Sequence, residues 1–243
     1  ISKIFYFPLQ LQIHTDFLSP YFINSFLNQI RVFIANFLIP HAEGLRVVSP
    51  VILDSIKNNF KSLKAEVSVL PVFVDIEGLI NKSESTVVEK TSAFETTILI
   101  VSRLADEKRI DIALSAFNKV VQKFPKVGLF IYGDGPEKSS LSNLSKDHRL
   151  IDNVVFMGWQ NDLTALYINS DIFLLTSEYE GYGMALIEAG ASGCPIVTTK
   201  VGIAKTELFQ SGINSYVCPV GDVDCLAESL INLITDEPKR KLF

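Results

Sequence analysis

The sequence is short of basic charge. Across 243 residues, 22 lysines and arginines stand against 27 aspartates and glutamates, giving a formal charge of −5. That balance argues against a surface built to neutralise a phosphate backbone, so no nucleic-acid partner is expected. Cysteine is scarce as well. Cys194, Cys218 and Cys225 are odd in number and form neither a CxxC pair nor a Cys/His cluster. They therefore describe no disulfide framework and no zinc site, and reduced, mostly buried thiols in a cytosolic protein are expected. The opening stretch "ISKIFYFPLQLQIHTDF" lacks an initiator Met, a basic n-region and a small-residue cleavage site. It does not read as a signal peptide. Instead "LQLQIH" reads as an interior strand with no opening element before it, the pattern of a gene fragment entered midway.

No segment is apolar enough to span a bilayer. The nearest approach, "YFINSFLNQIRVFIANFLIP" from Tyr21 to Pro40, is interrupted by Asn24, Asn28, Gln29, Arg31 and Asn36, too many polar groups for a span. Its apolar residues Ile23, Phe26, Ile30, Phe33 and Phe37 recur at intervals of three or four, the stripe of an amphipathic helix. The polar face carries one Arg and no Lys. Burial of the stripe in a core is expected, with peripheral contact at the inner membrane surface as the alternative.

What is present is ample for folding. With 48% hydrophobic and 20% charged residues, the chain can build one large or two modest domains, each with its own core. Residues 1–76 show a strand, the amphipathic helix, a short segment "GLRVVS", a helix from about Pro50 to Leu63 and a strand "EVSVLP", part of an α/β unit. Residues 77–95, rich in Ser, Thr, Glu and Lys, have the composition of an exposed linker. From 96 to 243 the pattern becomes regular. Strands "TTILIVS", "VGLFIY", "NVVFM", "DIFLLTS", "PIVTT" and "NSYVCP" alternate with helical stretches over 109–123, 136–147, 161–169, from near Gly183, around 203–210 and over 222–234. Such alternation implies parallel pairing through right-handed crossovers, hence a doubly wound sheet. In these sheets ligands bind beyond the carboxyl ends of the strands.

Three loops at those ends carry chemistry. "RLADEKRID" sets Arg103 and Lys108 between a strand and a helix; they are either solvated or paired with Asp106 and Glu107, or placed to hold an anion. "GDGPEK" is a tight turn through Gly133 and Gly135 with Pro136 near the first helical turn. It lacks the third glycine of a dinucleotide fingerprint and so does not support an NAD site. "EYEGYGMALIEAGASGCP", residues 178–195, brackets two glycines between glutamates. Gly181 and Gly183 either supply backbone freedom alone or expose unencumbered N–H groups at a helix N-terminus, a ready anion site. If the helix starts near Gly183, Glu188 lies one turn beyond Met184 and leans back toward the same mouth, with Glu180 at the rim. Arg103 and Lys108 are the cations able to balance those carboxylates. The arrangement fits a diphosphate clamped by Arg and Lys, with glutamates holding hydroxyl groups on either side. A molecule of that description is a nucleotide sugar.

The stretches "VSRLADEKRID", "IYGDGPEKSSL", "VVFMGWQNDLTALYINSDIFLLTSEYEGYGMALIEAGASGCPIVTTKVG" and "ELFQSGINSYVCP" together resemble the nucleotide-binding half of a group 1 glycosyltransferase, the retaining GT-B class also called family 4. The resemblance covers roughly residues 95–235. It implies a GT-B fold: a Rossmann-like donor domain over 96–243, preceded over 1–76 by the end of an acceptor-side Rossmann-like domain. Glu180 and Glu188 match the family's E-x7-E signature. By resemblance, Glu180 with the backbone of Gly181, Tyr182 and Gly183 faces the donor sugar and phosphates, and Glu188 holds the ribose. Arg103 and Lys108 match the diphosphate-binding pair, and Gly133, Gly135 and Met184 fall among the donor-binding positions. His14 matches a histidine that faces the active site in many members, although a lone His after a strand can equally be structural. Ser102 and Ser215 depart from the pattern, each standing where the family usually has Gly. The implied activity is sugar transfer from a nucleoside diphosphate sugar to a hydroxyl acceptor, a glycan or lipid-linked sugar, with retention and without a metal. A nucleotide-sugar epimerase and a binding-only fragment are the alternatives. The only DxD spacing, Asp222 to Asp224, is read as helix capping.

Overall fold

The computed structural model describes residues 8–20, 22–85 and 94–243. They form two compact units, one holding the residues up to Phe73 together with Tyr179–Tyr182, the other Val74–Glu178 and Gly183–Phe243.

The first unit is a parallel sheet of β1 (Gln10–Ile13), β2 (Gly44–Val47) and β3 (Glu66–Val69), in that spatial order. Helix α1 (Phe26–Leu38) joins β1 to β2, and α2 (Pro50–Asn59) joins β2 to β3. Both starts are written in the sequence. Ser25 accepts from the Asn28 N–H and Ser49 from the Ile52 N–H, with Pro50 at the first helical position, where its missing N–H costs nothing. Leu45, Val47, Ile52, Ile56, Ile39 and Phe17 make the core. The expected burial of the α1 stripe is not found: Phe26, Phe33 and Phe37 are 76%, 75% and 65% exposed, and Ile23 and Ile30 are exposed too. α1 is apolar on more than one side and meets the core through Val32 and Ala35 instead. Among the described residues no helix is long and apolar enough to cross a membrane.

The second unit opens with α3 (Ile76–Ser85), where an exposed linker was expected over 77–95. Asp75 accepts from the Gly78 N–H at 3.0 Å, and Ile76, Leu79 and Ile80 fall at helical spacing. Residues 86–93 of that expected linker lie outside the described residues. Six parallel strands follow: β4 (Thr96–Val101), β5 (Val127–Tyr132), β6 (Val154–Gly158), β7 (Ile172–Leu175), β8 (Ile196–Thr199) and β9 (Tyr216–Cys218). Their spatial order is β6-β5-β4-β7-β8-β9. β4 from Ile98 onward and β7 throughout are apolar, and the strands are buried from Thr96 to Ile100 and from Ile172 to Leu175. Central strands covered on both faces require such runs. The crossovers are α4 (Ile110–Val121), α5 (Lys138–Asp147), α6 (Thr164–Asn169) and α7 (Met184–Ala191), followed beyond β9 by α8 (Val223–Thr235) and α9 (Glu237–Leu242). α3 packs on α6 and α7, and α8 on α4. The chain winds one way from β4 to β6 and the other way from β7 to β9, so the winding reverses between β4 and β7. The carboxyl ends of those two strands form the crevice where ligands of such sheets bind.

Two further expectations are corrected. Around 203–210 the chain makes only a 3-10 turn, Gly202–Lys205, which ends at an extended Thr206 (φ −94°, ψ 168°) whose hydroxyl donates back to Ile203 O at 2.7 Å. Cys218 and Cys225, expected as reduced thiols, form a disulfide. The turn through Gly221, at φ 79°, brings the end of β9 back against the first turn of α8 with the two Cα atoms 5.8 Å apart, within disulfide reach. Cys194 is a buried free thiol, and burial pushes its ionisation up. Asp222 caps α8 by accepting from the Cys225 N–H at 2.9 Å, as read from the sequence, and Asp224 pairs with Lys119.

Candidate functional site

The loop after β4 is built around one left-handed residue. Past Arg103 the chain makes a 3-10 turn, Asp106–Lys108, and enters α4 through Arg109 at φ 47°, ψ 45°. The Arg109 guanidinium grips Asp111 through Nε (3.1 Å) and Nη2 (3.0 Å), and Glu178 through Nη1 (3.0 Å). The Asp111 hydrogen bonds, outweighing the cost of burial, hold its charge firmly in place. Glu178 follows β7, so this contact joins the two loops that flank the winding reversal. Three more bonds reinforce it: the Glu178 N–H to Glu107 O (3.0 Å), and Thr176 Oγ1 to Lys108 O (3.1 Å) and Arg109 O (2.9 Å). Arg103 lies on this rim, 67% exposed in its side chain, and pairs with Glu107 four residues on. Partial burial pushes the Glu107 carboxyl up. Its backbone hydrogen bond, Arg103 and Lys108 outweigh that and leave it below the usual carboxylate value. The pairing of Arg103 with an acidic neighbour, one of the two alternatives open in the sequence, is thus present in this structure.

The glycine turn after β5 packs directly on that loop. A Cβ at Gly133, whose φ is 133°, would lie 1.9 Å from Ser102 O, and one at Gly135 would lie 2.2 Å from Leu104 O. Leu104 N–H donates to Asp134 O at 3.0 Å. Only glycine fits either place, so these residues set the position of the Arg103 segment through backbone contact.

After β7, α7 begins at Gly183 (φ 100°, ψ 53°) with no side chain capping its N-terminus. The first-turn N–H groups, Met184 among them, point out of the helix start without such a partner, carrying the positive end of the helix dipole. One turn on, Glu188 is half-buried and accepts from the Tyr167 hydroxyl at 3.0 Å. Tyr167 is buried on α6. Burial first, then the Glu188 charge, raises its phenol well above the ordinary value. Thus Arg103, Lys108, Gly133, Gly135, Gly183, Met184 and Glu188 all lie at the carboxyl edge of one sheet.

Glu180, Gly181, Tyr182 and His14 belong to the first unit. A Cβ at Gly181 would come 2.8 Å from His14 O, so glycine there permits close approach to the end of β1. Tyr179 Oη donates to Asp16 O at 3.3 Å, and burial lifts that phenol to about 12. His14 is exposed, its Nε2 3.5 Å from Gln12 Oε1. Tyr182 packs on the first unit's core. Sequence reasoning passed over Arg109, Glu178 and Tyr167. Arg109 gave a faint signal, a cation at a helix start two residues before an acid; a tyrosine on an apolar helix face gave none.

The model of the family described as glycosyl transferases group 1 matches residues 82–243. The chain belongs to the group 1 glycosyltransferase family. The N-acetyl-α-D-glucosaminyl L-malate synthase of Bacillus anthracis is 36% identical over 146 residues, 60% of this chain and 38% of that protein. Anabaena HepE, solved in complex with UDP, superposes with a TM-score of 0.82 at 24% identity over 99% of this chain and 66% of its own. Staphylococcus aureus TarM, solved with fondaparinux, α-GlcNAc-glycerol and UDP, gives 0.74 at 22% identity over 88% and 41%. The chain therefore spans less than two thirds of the length of each. The fold of this group 1 glycosyltransferase is α/β of GT-B type, with a doubly wound six-stranded parallel sheet preceded by a three-stranded parallel α/β unit. Among the described residues no cluster of three or more His, Cys, Asp or Glu side chains could hold a metal ion.

Proposed function

We propose that this protein transfers a sugar from a nucleoside diphosphate sugar to a hydroxyl of a glycan or lipid-linked acceptor, with retention of anomeric configuration and without a metal. The observation that carries this reading is the bonding of the cationic β4 loop to the loop after β7, which leads into the glycine-capped, side-chain-free start of α7. As the bond from the anomeric carbon to the diphosphate oxygen breaks, its electron pair leaves on phosphate and the sugar becomes oxocarbenium-like. Fixed positive charge at the phosphate then stabilises the transition state more than the ground state. Arg103, Lys108 and the first-turn N–H groups of α7 are assigned that charge, with Arg103 exchanging Glu107 for the diphosphate. Glu188, oriented by Tyr167, is assigned the ribose hydroxyls. Glu180 with the backbone of Gly181, Tyr182 and Gly183 is assigned the donor sugar, and Gly133, Gly135 and Met184 the shape of the donor pocket. His14 is the candidate for contact with the reacting sugar. Relatives named for α-linked products agree with retention.

Calorimetry with UDP, GDP and ADP tests the clamp. Arg103→Ala and Lys108→Ala should each weaken binding by about 1.5–3 kcal/mol, the range for a hydrogen bond to a charged group. Unchanged affinity in both variants removes the clamp. Glu188→Gln should weaken nucleotide and nucleotide sugar alike, whereas Glu180→Gln should affect mainly the sugar-bearing donor; equal effects from both contradict the division. Binding should survive EDTA. Transfer of labelled sugar from a donor panel separates a transferase from an epimerase, and ligand-dependent melting without turnover marks a binding module. We further propose a cytoplasmic setting with peripheral membrane contact through the exposed face of α1. Flotation with anionic vesicles tests the contact.

A further inference from the structure

Cys218 and Cys225 lie where the chain turns from β9, the last strand of the six-stranded sheet, into α8, and are bonded to each other across a sequence separation of seven. Their surroundings bring them together without help from the bond. Gly221, at φ 79°, reverses the chain between them. Asp222 Oδ1 accepts from the Cys225 N–H at 2.9 Å, which holds that residue in the first turn of α8. Asp224 pairs with Lys119 of α4, and Leu226, Leu230 and Leu233 anchor α8 in the core. The two sulfurs therefore stay adjacent when the bond is opened. They are not equally reachable. Cys218 is 1% exposed, its Sγ 3.5 Å from Ser229 Oγ, whereas Cys225 is only partly buried at the margin of that core. Cys194, the third cysteine, is a buried free thiol before β8. Thr199, five residues further on, is the register partner of Cys218, so roughly 16 Å of extended chain separates the two thiols. That is well outside disulfide reach.

We propose that Cys218 and Cys225 form a reversible thiol–disulfide site, which small thiols and disulfides enter at Cys225 and which locks the start of α8 when closed. Opening begins when the thiolate of a reductant attacks Cys225 Sγ. A bond forms between Cys225 and the reductant sulfur as the bond to Cys218 breaks, and the Cys218 sulfur leaves with the electron pair and takes up a proton beside Ser229 Oγ. A second reductant thiolate then attacks the reductant sulfur of this mixed disulfide. It releases Cys225 as a thiol after protonation, and the reductant departs as its own disulfide. Closing reverses these steps, with a small disulfide such as glutathione disulfide as the oxidant. Exchange rates depend on which sulfur can be approached, and the core closes off Cys218. The closed form crosslinks β9 to α8 and restricts the unfolded chain, so the stability of this unit follows the thiol–disulfide balance around it. None of Arg103, Lys108, Glu180 and Glu188 takes part, so the site stands independently of the donor reading.

Iodoacetamide labelling read by mass spectrometry, with melting followed in parallel, tests the site in the full chain. Held in glutathione disulfide, the folded chain should take no label. After dithiothreitol it should take label at Cys225, and return to glutathione disulfide before labelling should protect that residue again. Opening should lower the melting temperature by about 5–10 °C, from the loop-entropy estimate for so short a loop and the sensitivity of a unit of this size, with the far-ultraviolet circular dichroism unchanged. In Cys218→Ser the remaining Cys225 should form a mixed disulfide with glutathione disulfide. In Cys225→Ser the buried Cys218 should form none, and that variant should melt where the reduced parent melts, with or without dithiothreitol. Label on Cys225 in the chain held in glutathione disulfide, or failure of dithiothreitol to expose Cys225, overturns the reversible site. A melting temperature indifferent to dithiothreitol overturns the lock on α8. A mixed disulfide on Cys218 in place of Cys225 overturns the route of entry.

Discussion

Replacing Arg109 by alanine removes the guanidinium that ties the loop after β4 to the loop after β7, and leaves Arg103 and Lys108 in place. The side chains of Arg109 and Glu178 are only 28% and 17% exposed, so this pair is screened less than an ordinary surface pair. Leaving the Glu178 carboxylate without it should cost about 1.5–3 kcal/mol. The contact with Asp111, whose side chain is 44% exposed, adds under about 1 kcal/mol. The total expected loss is therefore about 1.5–4 kcal/mol. A second variant separates charge from backbone. Arg109 occupies the left-handed region, which costs roughly 1–2 kcal/mol for a residue with a Cβ. Alanine inherits that cost and glycine does not, so Arg109→Gly should be about 1 kcal/mol more stable than Arg109→Ala despite losing the same contacts. Urea unfolding of the parent and both variants measures this. In thermal scans each kcal/mol corresponds to about 2–4 °C for a unit of this size. An alanine variant as stable as the parent, or a glycine variant less stable than the alanine one, would refute the reasoning.

Gly133→Ala should cost several kcal/mol or prevent folding of the donor unit, since the added methyl would meet Ser102 O at 1.9 Å. Gly158→Ala has a positive φ but nothing within 4 Å and should lose only about 1–2 kcal/mol; equal unfolding midpoints for the two would contradict the packing account. Glu107 has a carboxyl held below its ordinary value of 4.5. Its contribution is present above about pH 4.5 and is lost as the pH falls through the folded-state value. Glu107→Gln should therefore flatten the acid limb of stability, and identical slopes in parent and variant between pH 5 and 3 would count against it. Finally, Phe33→Glu with Phe37→Glu should reduce self-association in sedimentation while leaving the unfolding midpoint unchanged, because both rings are exposed. A fall in the midpoint would mean they are buried in the folded chain.

The donor-side sheet was legible because its strands announce themselves. "TTILIVS" and "DIFLLTS" are apolar runs without helical period, punctuated by glycine turns, and parallel order follows from their alternation with helices. α3 was not legible because its seven polar or small residues outweighed Ile76, Leu79 and Ile80, which gain a partner only when α6 and α7 are in place. The α1 stripe failed differently. Its period correctly gave a helix but not which side meets the core, since Val32 and Ala35 on another side are also apolar. The Cys218–Cys225 pairing depends on the reversal at Gly221, a tertiary fact that a spacing of seven does not disclose. At the site, residue types and spacing marked Arg103, Lys108 and Glu188. What holds them was hidden because it depends on contacts across strands, such as Arg109 with Glu178 and Tyr167 with Glu188.

The Tyr167–Glu188 contact has a consequence for how the site behaves with acidity. A carboxylate steered by a histidine would lose its orientation near neutrality, and one steered by a lysine would be pulled off its target by a competing full charge. Here the steering group is a neutral phenol whose proton is retained far into the alkaline range, because both burial and the carboxylate itself oppose its loss. The donated proton is therefore always available while Glu188 is charged. The phenol goes on donating across the neutral range, and Glu188 keeps one fixed edge turned toward whatever binds there.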